Sequence, residues 1–389
     1  MSLQNGLTSR LVLIASVLAL TACASTSQHH NPEQRQLLLS GEVLFDESVP
    51  AAAPVELFQL TDEMRQWLTN HATNHPYAKT RLRRLLQAML DDGLLDLDYE
   101  INRSYTAQQT FAQRTGNCLS FSILFVALAR ELRLDAEFQL VEIPPSFSAE
   151  EELVLLNNHI NVRIKGIRSD VNHVQDHIVD FNSIEYNGNY DTHRVSDAYA
   201  TSLYHGNRAV EFMGTEQYEA AFRQLKRGLE LAPDVPGLWI NLGVLYARME
   251  HWQEAEAAYR TALDLDANNK SALVNLARVM RQSGNTEQAE RLAQRVQRYM
   301  QNNPYFYSQH AREAISRGEL DKALALLRKA IALKDDEHQF YHLRGIALYR
   351  QGELQAARQS LQEAKNVAHR ADLQNIYQRK LRAFEAEST

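Results

Sequence analysis

Hydrophobic and polar residues follow three different patterns along this chain. A ten-residue apolar run, Leu11–Leu20, lies near the N-terminus. The middle of the chain has a strongly apolar segment from Leu119 to Leu134, typical of a buried helix, and residues 136–142 then alternate like a strand. After about residue 202, apolar and small residues return with a period of 34. The pattern predicts a leader segment, a mixed region of helices and strands, and an all-α repeat region.

The repeat region places small residues, with one valine among them, at three fixed positions in each of five units. Small side chains at such positions let two antiparallel helices approach closely, and larger apolar residues fill the space between them. The three series are Ala209, Gly243, Ala277, Ala311 and Gly345; Ala221, Ala255, Ala289, Ala323 and Ala357; and Gly228, Ala262, Val296, Ala330 and Ala364. The spacing predicts five helical hairpins.

The second unit carries the most complete set of large and small residues. These residues are Trp239, Leu242, Gly243, Tyr246, Ala255 and Tyr259. With them, the region resembles an array of tetratricopeptide repeats (TPRs). We expect five repeats over residues 201–370 and a capping helix over residues 371–389, because the last unit of such an array cannot bury its outer face alone. The resemblance implies a groove for a protein or peptide partner.

In such an array the first helix of each unit lines the concave face. Five arginines fall at inward positions, beside apolar residues such as Ile240 and Val244. A guanidinium group binds a carboxylate in a bidentate manner, so these side chains suit an extended peptide that carries carboxylates. Alternatively, they are solvated or paired with nearby glutamates. The groove candidates are Arg248, Arg278, Arg281, Arg312 and Arg350.

The N-terminal apolar run is too short to cross a bilayer as a helix, but it suits the core of a signal peptide. Arg10 precedes it, and the sequence Leu20-Thr21-Ala22-Cys23 follows. This ending resembles the bacterial lipobox, in which the cysteine is acylated and becomes the new N-terminus. We therefore expect a signal peptide over residues 1–22 and lipidation at Cys23. The alternative is an ordinary secretory signal with a chance cysteine at the cleavage point.

The lipoprotein resemblance also implies a location. Several acyl chains anchor a protein firmly to a membrane. The residue after Cys23 is Ala24 rather than aspartate, which favours the periplasmic face of the outer membrane of a Gram-negative bacterium. Residues 23–55 are rich in Ser, Pro and Ala, so we expect a flexible tether there.

Three residues of the middle region have the order and types of a catalytic triad. Asn117 is a natural helix N-cap and Gly116 permits the tight turn before it, so Cys118 is expected in the first turn of the apolar helix. A helix N-terminus stabilises a thiolate there. His159 and Asp180 follow on two strand-like segments. Together they offer a nucleophile, a base and a group that orients the base.

Residues 56–200 resemble the transglutaminase-like superfamily of papain-like α+β folds. The resemblance is based on Gly-Asn-Cys118, His159 and Val-Asp180. The resemblance implies that Cys118 attacks an amide carbonyl and forms a thioester, which water resolves in a hydrolase or peptidase and an amine resolves in a transferase. The family often has an aromatic residue two positions after the histidine, where this chain has Asn161.

The group that stabilises the oxyanion is not fixed by the sequence. The backbone N–H of Cys118 is one candidate. The side-chain amide of Gln113 or of Gln109 is another. Both glutamines precede the cysteine in the chain.

Charge and cysteine content exclude several classes. Lys and Arg total 41 against 48 Asp and Glu, a formal net charge of -7, which argues against a nucleic-acid-binding protein. The chain has only two cysteines, so it is not a disulfide-rich scaffold. We expect no cofactor. The catalytic hypothesis competes with a catalytically inactive TPR adaptor or scaffold for an envelope complex.

A metal site is the remaining alternative in the middle region. His173, Asp176, His177 and Asp180 would supply ligands if this segment were a helix. The apolar residues between them indicate a strand, which would separate the ligands, and no His-Glu-x-x-His motif is present. We therefore expect no metal.

Overall fold

A computed structural model describes most of the chain and provides the structure analysed below. The described residues are 32–72, 75–94, 98–100, 103–142, 159–168, 174–181, 192–369 and 371–387. The expected signal peptide and Cys23 lie outside these ranges, so both stay predictions. Among the described helices, none is both long and apolar enough to cross a membrane.

The first half of the described chain combines helices with a small sheet. Its helices are α1 (Pro32–Leu38), α2 (Glu42–Phe45), α3 (Asp62–His71), α4 (Ala78–Asp91), α5 (Ala107–Gln113) and α6 (Cys118–Glu131). Its strands are β1 (Asp98–Tyr99), β2 (Thr115–Gly116), β3 (Ala136–Val141), β4 (His159–Arg168), β5 (Val174–Val179) and β6 (Thr192–Val195). Strands β5-β4-β3-β6 form an antiparallel sheet in that order, and β1 pairs with β2 in parallel.

Helix α6 lies in the centre of this mixed region. It is apolar on all sides, and every residue from Leu119 to Ala129 is buried. A helix without a polar face needs partners all around it. Side chains such as Phe125 therefore share one core with Phe138 of β3, Ile160 of β4 and Leu85 of α4. The packing fixes the N-terminus of α6 beside the sheet.

The second half is an all-α array of five helix pairs and one terminal helix, as the 34-residue period predicts. The helices are α7 (Asp197–Gly214), α8 (Tyr218–Leu231), α9 (Pro236–Arg248), α10 (Trp252–Leu265), α11 (Lys270–Gln282), α12 (Thr286–Gln301), α13 (Pro304–Ser316), α14 (Leu320–Leu333), α15 (His338–Arg350), α16 (Leu354–Val367) and α17 (Ala371–Glu387). All fifteen residues of the three predicted series are buried.

Gly243 shows why the first position of a repeat must be small. A Cβ atom placed on Gly243 would lie 2.5 Å from the ring of Tyr259 in the partner helix α10. This distance is shorter than any ordinary carbon–carbon contact. The missing side chain thus makes room for the tyrosine, which is fully buried.

The turn inside each helix pair uses one residue with a left-handed backbone. In the last three repeats this residue is Gly284, Gly318 or Gly352, with φ of 78°, 77° and 84°. The equivalent residues of the first two repeats are Glu216 and Glu250, with φ of 59° and 63°. The conformation therefore repeats with the same period as the sequence, although two repeats lack the glycine that favours it.

Helix α7 belongs to both halves of the molecule. Its residues Ala200 and Tyr204 lie in the core around α6, whereas Ala209 and Met213 lie in the core of the first repeats. The expected domain boundary between residues 200 and 201 falls inside this continuous helix. One rigid helix therefore joins the two parts, and it begins at Asp197 because Ser196 caps it there.

Residues 32–53 differ from the flexible tether that the sequence analysis expects over 23–55. Helices α1 and α2 lie in this segment, and Leu38 and Val49 are buried in the core of the first repeats. The carbonyl of Leu38 accepts a hydrogen bond of 2.8 Å from the Tyr246 hydroxyl. The tether expectation is therefore corrected for these residues, because their apolar side chains find a surface on the solenoid.

Backbone contacts to α8 hold the same segment further along. The carbonyl oxygens of Val49 and Ala52 accept hydrogen bonds of 2.8 Å from Lys226 and Arg227. The Ala52 N–H donates to the Arg223 carbonyl at 2.9 Å. Residues 32–53 thus form what we call the N-terminal strap, an ordered segment on the first two repeats.

Candidate functional site

Cys118 is the first residue of α6, and its local sequence explains this position. The Asn117 side chain accepts a hydrogen bond of 3.0 Å from the Ser120 N–H, which caps the helix. A Cβ atom on Gly116 would lie 2.7 Å from the Ser120 Cβ, so only glycine fits before the cap. The Cys118 side chain is half-buried at the edge of the core.

His159 lies between Asp180 and Cys118. It is the first residue of β4 and is only 4% exposed. Its Nε2 atom is 2.9 Å and 2.8 Å from the two carboxylate oxygens of Asp180. The imidazole also forms a hydrogen bond with the Cys118 side chain. Because Asp180 occupies Nε2, the ring nitrogen that remains for Cys118 is Nδ1.

The surroundings of His159 favour its charged form. Burial by itself lowers the pKa of this imidazole, but hydrogen bonds to Asp180 and Cys118, together with the charges of both, raise it to about 9. The raised pKa favours the imidazolium form of the ring at neutral pH. An imidazolium beside a thiolate is the ion pair that activates cysteine nucleophiles.

The sheet brings Asp180 to this position. Val179, the last residue of β5, pairs with Val162 of β4, so Asp180 lies near the start of β4. Phe181 then packs against the rings of Phe121 and Phe125, with centroid distances of 6.0 Å and 5.7 Å. The end of β5 is thus fixed on α6, the helix that begins with Cys118.

The two glutamines proposed for the oxyanion site have different surroundings. Gln109 is committed to a capping box: its Oε1 atom accepts from the Thr106 N–H at 3.0 Å, and its N–H donates to the Thr106 hydroxyl. Gln113 is the last residue of α5 and is exposed. The capping box uses the side-chain oxygen and the backbone N–H of Gln109 but not Nε2, the atom that would donate to an oxyanion, so both glutamines stay predictions.

The residues of the alternative metal site are not arranged as a helix. Asp176 and His177 lie on strand β5, and His173 lies outside the described residues. Asp176 accepts hydrogen bonds from Arg163 Nε at 2.8 Å and from the Gly166 N–H at 3.0 Å. Asp176 therefore serves the β4–β5 hairpin.

Two of the predicted groove arginines stabilise the solenoid itself. Arg248 donates a hydrogen bond of 2.8 Å to the carbonyl of Met213, and Arg350 donates one of 2.8 Å to the carbonyl of Ile315. In both cases the acceptor lies near the end of the first helix of the preceding repeat. A cation satisfies the unpaired carbonyls at a helix C-terminus, so these arginines connect neighbouring repeats.

The other groove residues vary in exposure. Arg281 and Arg312 are exposed, and Arg278 is half-buried near Tyr259. Of the residues expected beside them, Ile240 and Val244 are fully buried, whereas Tyr349 is exposed. Arg248 and Arg350 are exposed too, although each also donates to a neighbouring helix, so accessible arginines occur on the second to the fifth repeats.

Comparison with known families identifies the class of the helical part. A model described as the middle TPR-like domain of cilia and flagella-associated protein 70 matches residues 208–312, and a TPR repeat model matches residues 311–352. The chain therefore carries tetratricopeptide repeats, as the 34-residue period predicts. TPR repeats generally bind protein or peptide partners, so this part of the chain indicates a protein-interaction or scaffold role.

One relative is also a tetratricopeptide repeat protein. The tetratricopeptide repeat-containing protein trd-1 of Caenorhabditis elegans is 25% identical over 126 residues, which cover 31% of this chain and 16% of that protein. The chain thus spans less than a fifth of this relative's length.

Solved structures give similar but weak likenesses. MamA is 20% identical, and the match covers 43% of this chain and 91% of that chain with a TM-score of 0.25. YrrB, described as a TPR protein with an unusual peptide-binding site, is 19% identical, and the match covers 44% of this chain and 89% of that chain with a TM-score of 0.25. PilF of Pseudomonas aeruginosa is 15% identical, and the match covers 49% of this chain and 90% of that chain with a TM-score of 0.26. At these scores they carry no argument about function.

Proposed function

We propose that the chain is a cysteine hydrolase or peptidase, or an amide acyl-transferase, whose repeats recruit a protein substrate. Residues 56–200 would form a papain-like catalytic domain of the transglutaminase type, with five repeats over 201–370 and a cap over 371–389. The observation that supports this proposal is the buried side chain of His159, which is hydrogen-bonded to Asp180 through Nε2 and also to the Cys118 side chain.

The proposed reaction starts from the Cys118 thiolate. Its sulfur forms a bond to the carbonyl carbon of an amide, and the carbonyl π electrons move to oxygen. When they return, the C–N bond breaks and His159 gives its Nδ1 proton to the departing amine. A thioester remains, and water or an amine then attacks it while His159 accepts a proton and the thiolate leaves. Asp180 keeps its negative charge and stabilises the imidazolium throughout.

Export and lipidation complete the proposal. The sequence Leu20-Thr21-Ala22-Cys23 after an apolar run supports cleavage after residue 22 and acylation of Cys23. The mature protein would face the periplasm from the outer membrane. Incorporation of labelled palmitate into the wild-type protein, and its loss in Cys23→Ser, tests this part independently of catalysis.

The rate at which iodoacetamide alkylates Cys118 tests the activated thiol. We expect rapid alkylation at pH 6–7 in the wild type, and a loss of more than tenfold in His159→Ala, because a neutral thiol is a poor nucleophile. His177→Ala, a histidine on the adjacent strand, is the matched control and should react as the wild type does. A wild-type rate no faster than that of His159→Ala would contradict the proposal.

The substrate can then be sought with the inactive protein. Full-length Cys118→Ala should retain a protein that the wild type cleaves or modifies, because binding by the repeats does not need the sulfur. Products present with the wild type and absent with Cys118→Ala would identify the reaction as hydrolysis or transfer. Equal products from both proteins would exclude the cysteine mechanism.

A non-catalytic adaptor is the second candidate, and a specific observation favours it. The matched family models cover only residues within 208–352, the repeats, which bind partners in other proteins. An adaptor would bind the same partner in the wild type and in Cys118→Ala, with no products from either. Slow alkylation of Cys118 together with this result would favour the adaptor.

A further inference from the structure

Asn161 occupies a position next to the candidate triad. It lies two residues after His159 on β4, and side chains at that spacing point to the same face of a sheet. Its side chain is only 5% exposed. The Nδ2 atom donates a hydrogen bond of 3.1 Å to Oδ2 of Asp180. Two adjacent residues of one strand face thus contact the same carboxylate.

This contact restrains a carboxylate that lies at the end of a strand. Asp180 follows the last residue of β5, and its side chain is 26% exposed. Both of its oxygens approach His159 Nε2, and Oδ2 also accepts from Asn161. A carboxylate with one fixed donor can rotate about its χ angles, whereas a second donor from another direction limits that rotation.

The orientation of the Asn161 amide has a cost. A carboxylate oxygen only accepts hydrogen bonds, so the NH₂ group must face Asp180 and Oδ1 must face away. Oδ1 is buried there without a hydrogen-bond partner among the described residues. Burial of an unpaired acceptor destabilises a protein, and a buried strand position normally prefers Val or Ile. Such costs are typical of functional sites.

We propose that Asn161 is a positioning residue: its amide restrains the Asp180 carboxylate against Nε2 of His159 and so keeps the imidazole in place beside Cys118. This role rests on the proposed cysteine chemistry. Without the amide, the partly exposed carboxylate turns toward solvent and attracts the imidazolium less.

The Asn161→Leu variant tests this role, because leucine is branched at Cγ as asparagine is but has no donor. We expect about tenfold slower alkylation of Cys118 at pH 7, which corresponds to about 1.4 kcal/mol. The pKa of His159, followed by ¹⁵N NMR of the ring, should fall from about 9 toward 6.5. A purely structural role would move neither quantity.

Gln139→Leu is the matched control. Gln139 lies opposite Asn161 on β3 and donates to Thr192 at 2.9 Å rather than to Asp180. Circular dichroism checks the fold of each protein. If Asn161→Leu does not fold, Asn161→Val replaces it, because valine suits a strand.

The outcomes separate the two proposals. Fast alkylation of the wild type and of both Asn161 variants would overturn the role of Asn161 and leave the triad intact. An equal loss of Cys118 alkylation rate in Gln139→Leu would also overturn the role of Asn161, since the slower reaction would then follow from a general change in the sheet. Slow alkylation of the wild type, equal to that of His159→Ala, would remove the triad, and the role of Asn161 with it.

Discussion

Asn117 and Asn207 donate hydrogen bonds to the same atom, the hydroxyl oxygen of Ser104, at 2.8 Å and 2.9 Å. Asn117 caps the helix that begins with Cys118, whereas Asn207 belongs to the first helix of the repeats. The backbone N–H of Ser104 also donates to Glu211 of that helix at 2.8 Å. A single buried serine therefore links the helix that begins with Cys118 to the solenoid.

Removal of this hydroxyl should destabilise both halves together. Ser104→Ala leaves the buried amide of Asn117 and the half-buried amide of Asn207 without their common acceptor, so we expect the free energy of unfolding to fall by about 1–3 kcal/mol. Urea unfolding followed by circular dichroism measures it. Ser316→Ala, an exposed serine that donates to Glu313, is the control and should change little. Equal stability of Ser104→Ala and the wild type would contradict the linking role.

Glycine at the left-handed turn positions that now hold glutamate should increase the stability of the protein. An L-residue in this conformation is disfavoured by about 1 kcal/mol relative to glycine. Glu216→Gly and Glu250→Gly should each raise the melting temperature, because φ is already 59° and 63° at these positions. Gly318→Ala, at the equivalent turn of the fourth repeat, should lower it. A decrease in both glutamate variants would show that their side chains matter more than the backbone.

Gly243 and Gly345 occupy the same position in different repeats, but an added methyl group should destabilise the protein by different amounts at the two sites. Gly243→Ala places a methyl group 2.5 Å from the Tyr259 ring, so we expect a loss of about 1–3 kcal/mol. Gly345→Ala meets its nearest atoms at 3.4 Å, an ordinary contact, so its loss should be smaller. Thermal unfolding of the two variants compares them directly. A larger loss for Gly345→Ala would contradict this account of the packing.

The last repeat should be sensitive to acid through His342. Burial, followed by the charges of Lys380, His338 and Arg312, lowers the pKa of His342 to about 4. Lys380 Nζ lies 2.7 Å from His342 Nε2, so the ring accepts from the ammonium group. Since the folded pKa lies below the unfolded value near 6.5, stability is full above pH 6.5 and falls as the pH drops toward 4.

Replacement of the His342 ring should remove this loss of stability in acid. His342→Gln should lose less stability than the wild type between pH 6.5 and 4, as measured by urea midpoints. His251→Gln, at the start of α10, is the control and should follow the wild type. His159 has the opposite sign: its pKa is raised to about 9, so its contribution is present below pH 6.5 and is lost as the pH rises through 9. Parallel pH profiles of His342→Gln and the wild type would exclude the proposed acid sensitivity through His342.

The sequence predicts the solenoid well because each repeat encodes its own packing. Ala221 and its equivalents are small in every unit, and a small buried residue has the same meaning wherever it recurs. The helix start at Cys118 is also local, since Asn117 and Gly116 define it within three residues. The approach of His159 and Asp180 is less local, but the order of two strands after one helix makes it foreseeable.

Other features depend on partners that no local pattern reveals. Leu38 meets Tyr246 more than two hundred residues away, so the composition of the strap suggests a tether although the residues are ordered. Arg248 lies on an inward face by its register, but its real partner is the end of a neighbouring helix. Asn161 is visible in the sequence as a polar residue in a strand-like segment, whereas its contact with Asp180 requires the β4–β5 pairing.

The strap also decides which part of the molecule an anchor would hold. In the proposed lipoprotein, only residues 24–31 separate the acylated Cys23 from Pro32, and eight residues reach about 28 Å at full extension. Leu38 contacts Tyr246 and Val49 contacts α8, so the anchor would hold the first two repeats close to the bilayer. Large cargo on those repeats would consequently be kept near the lipid headgroups.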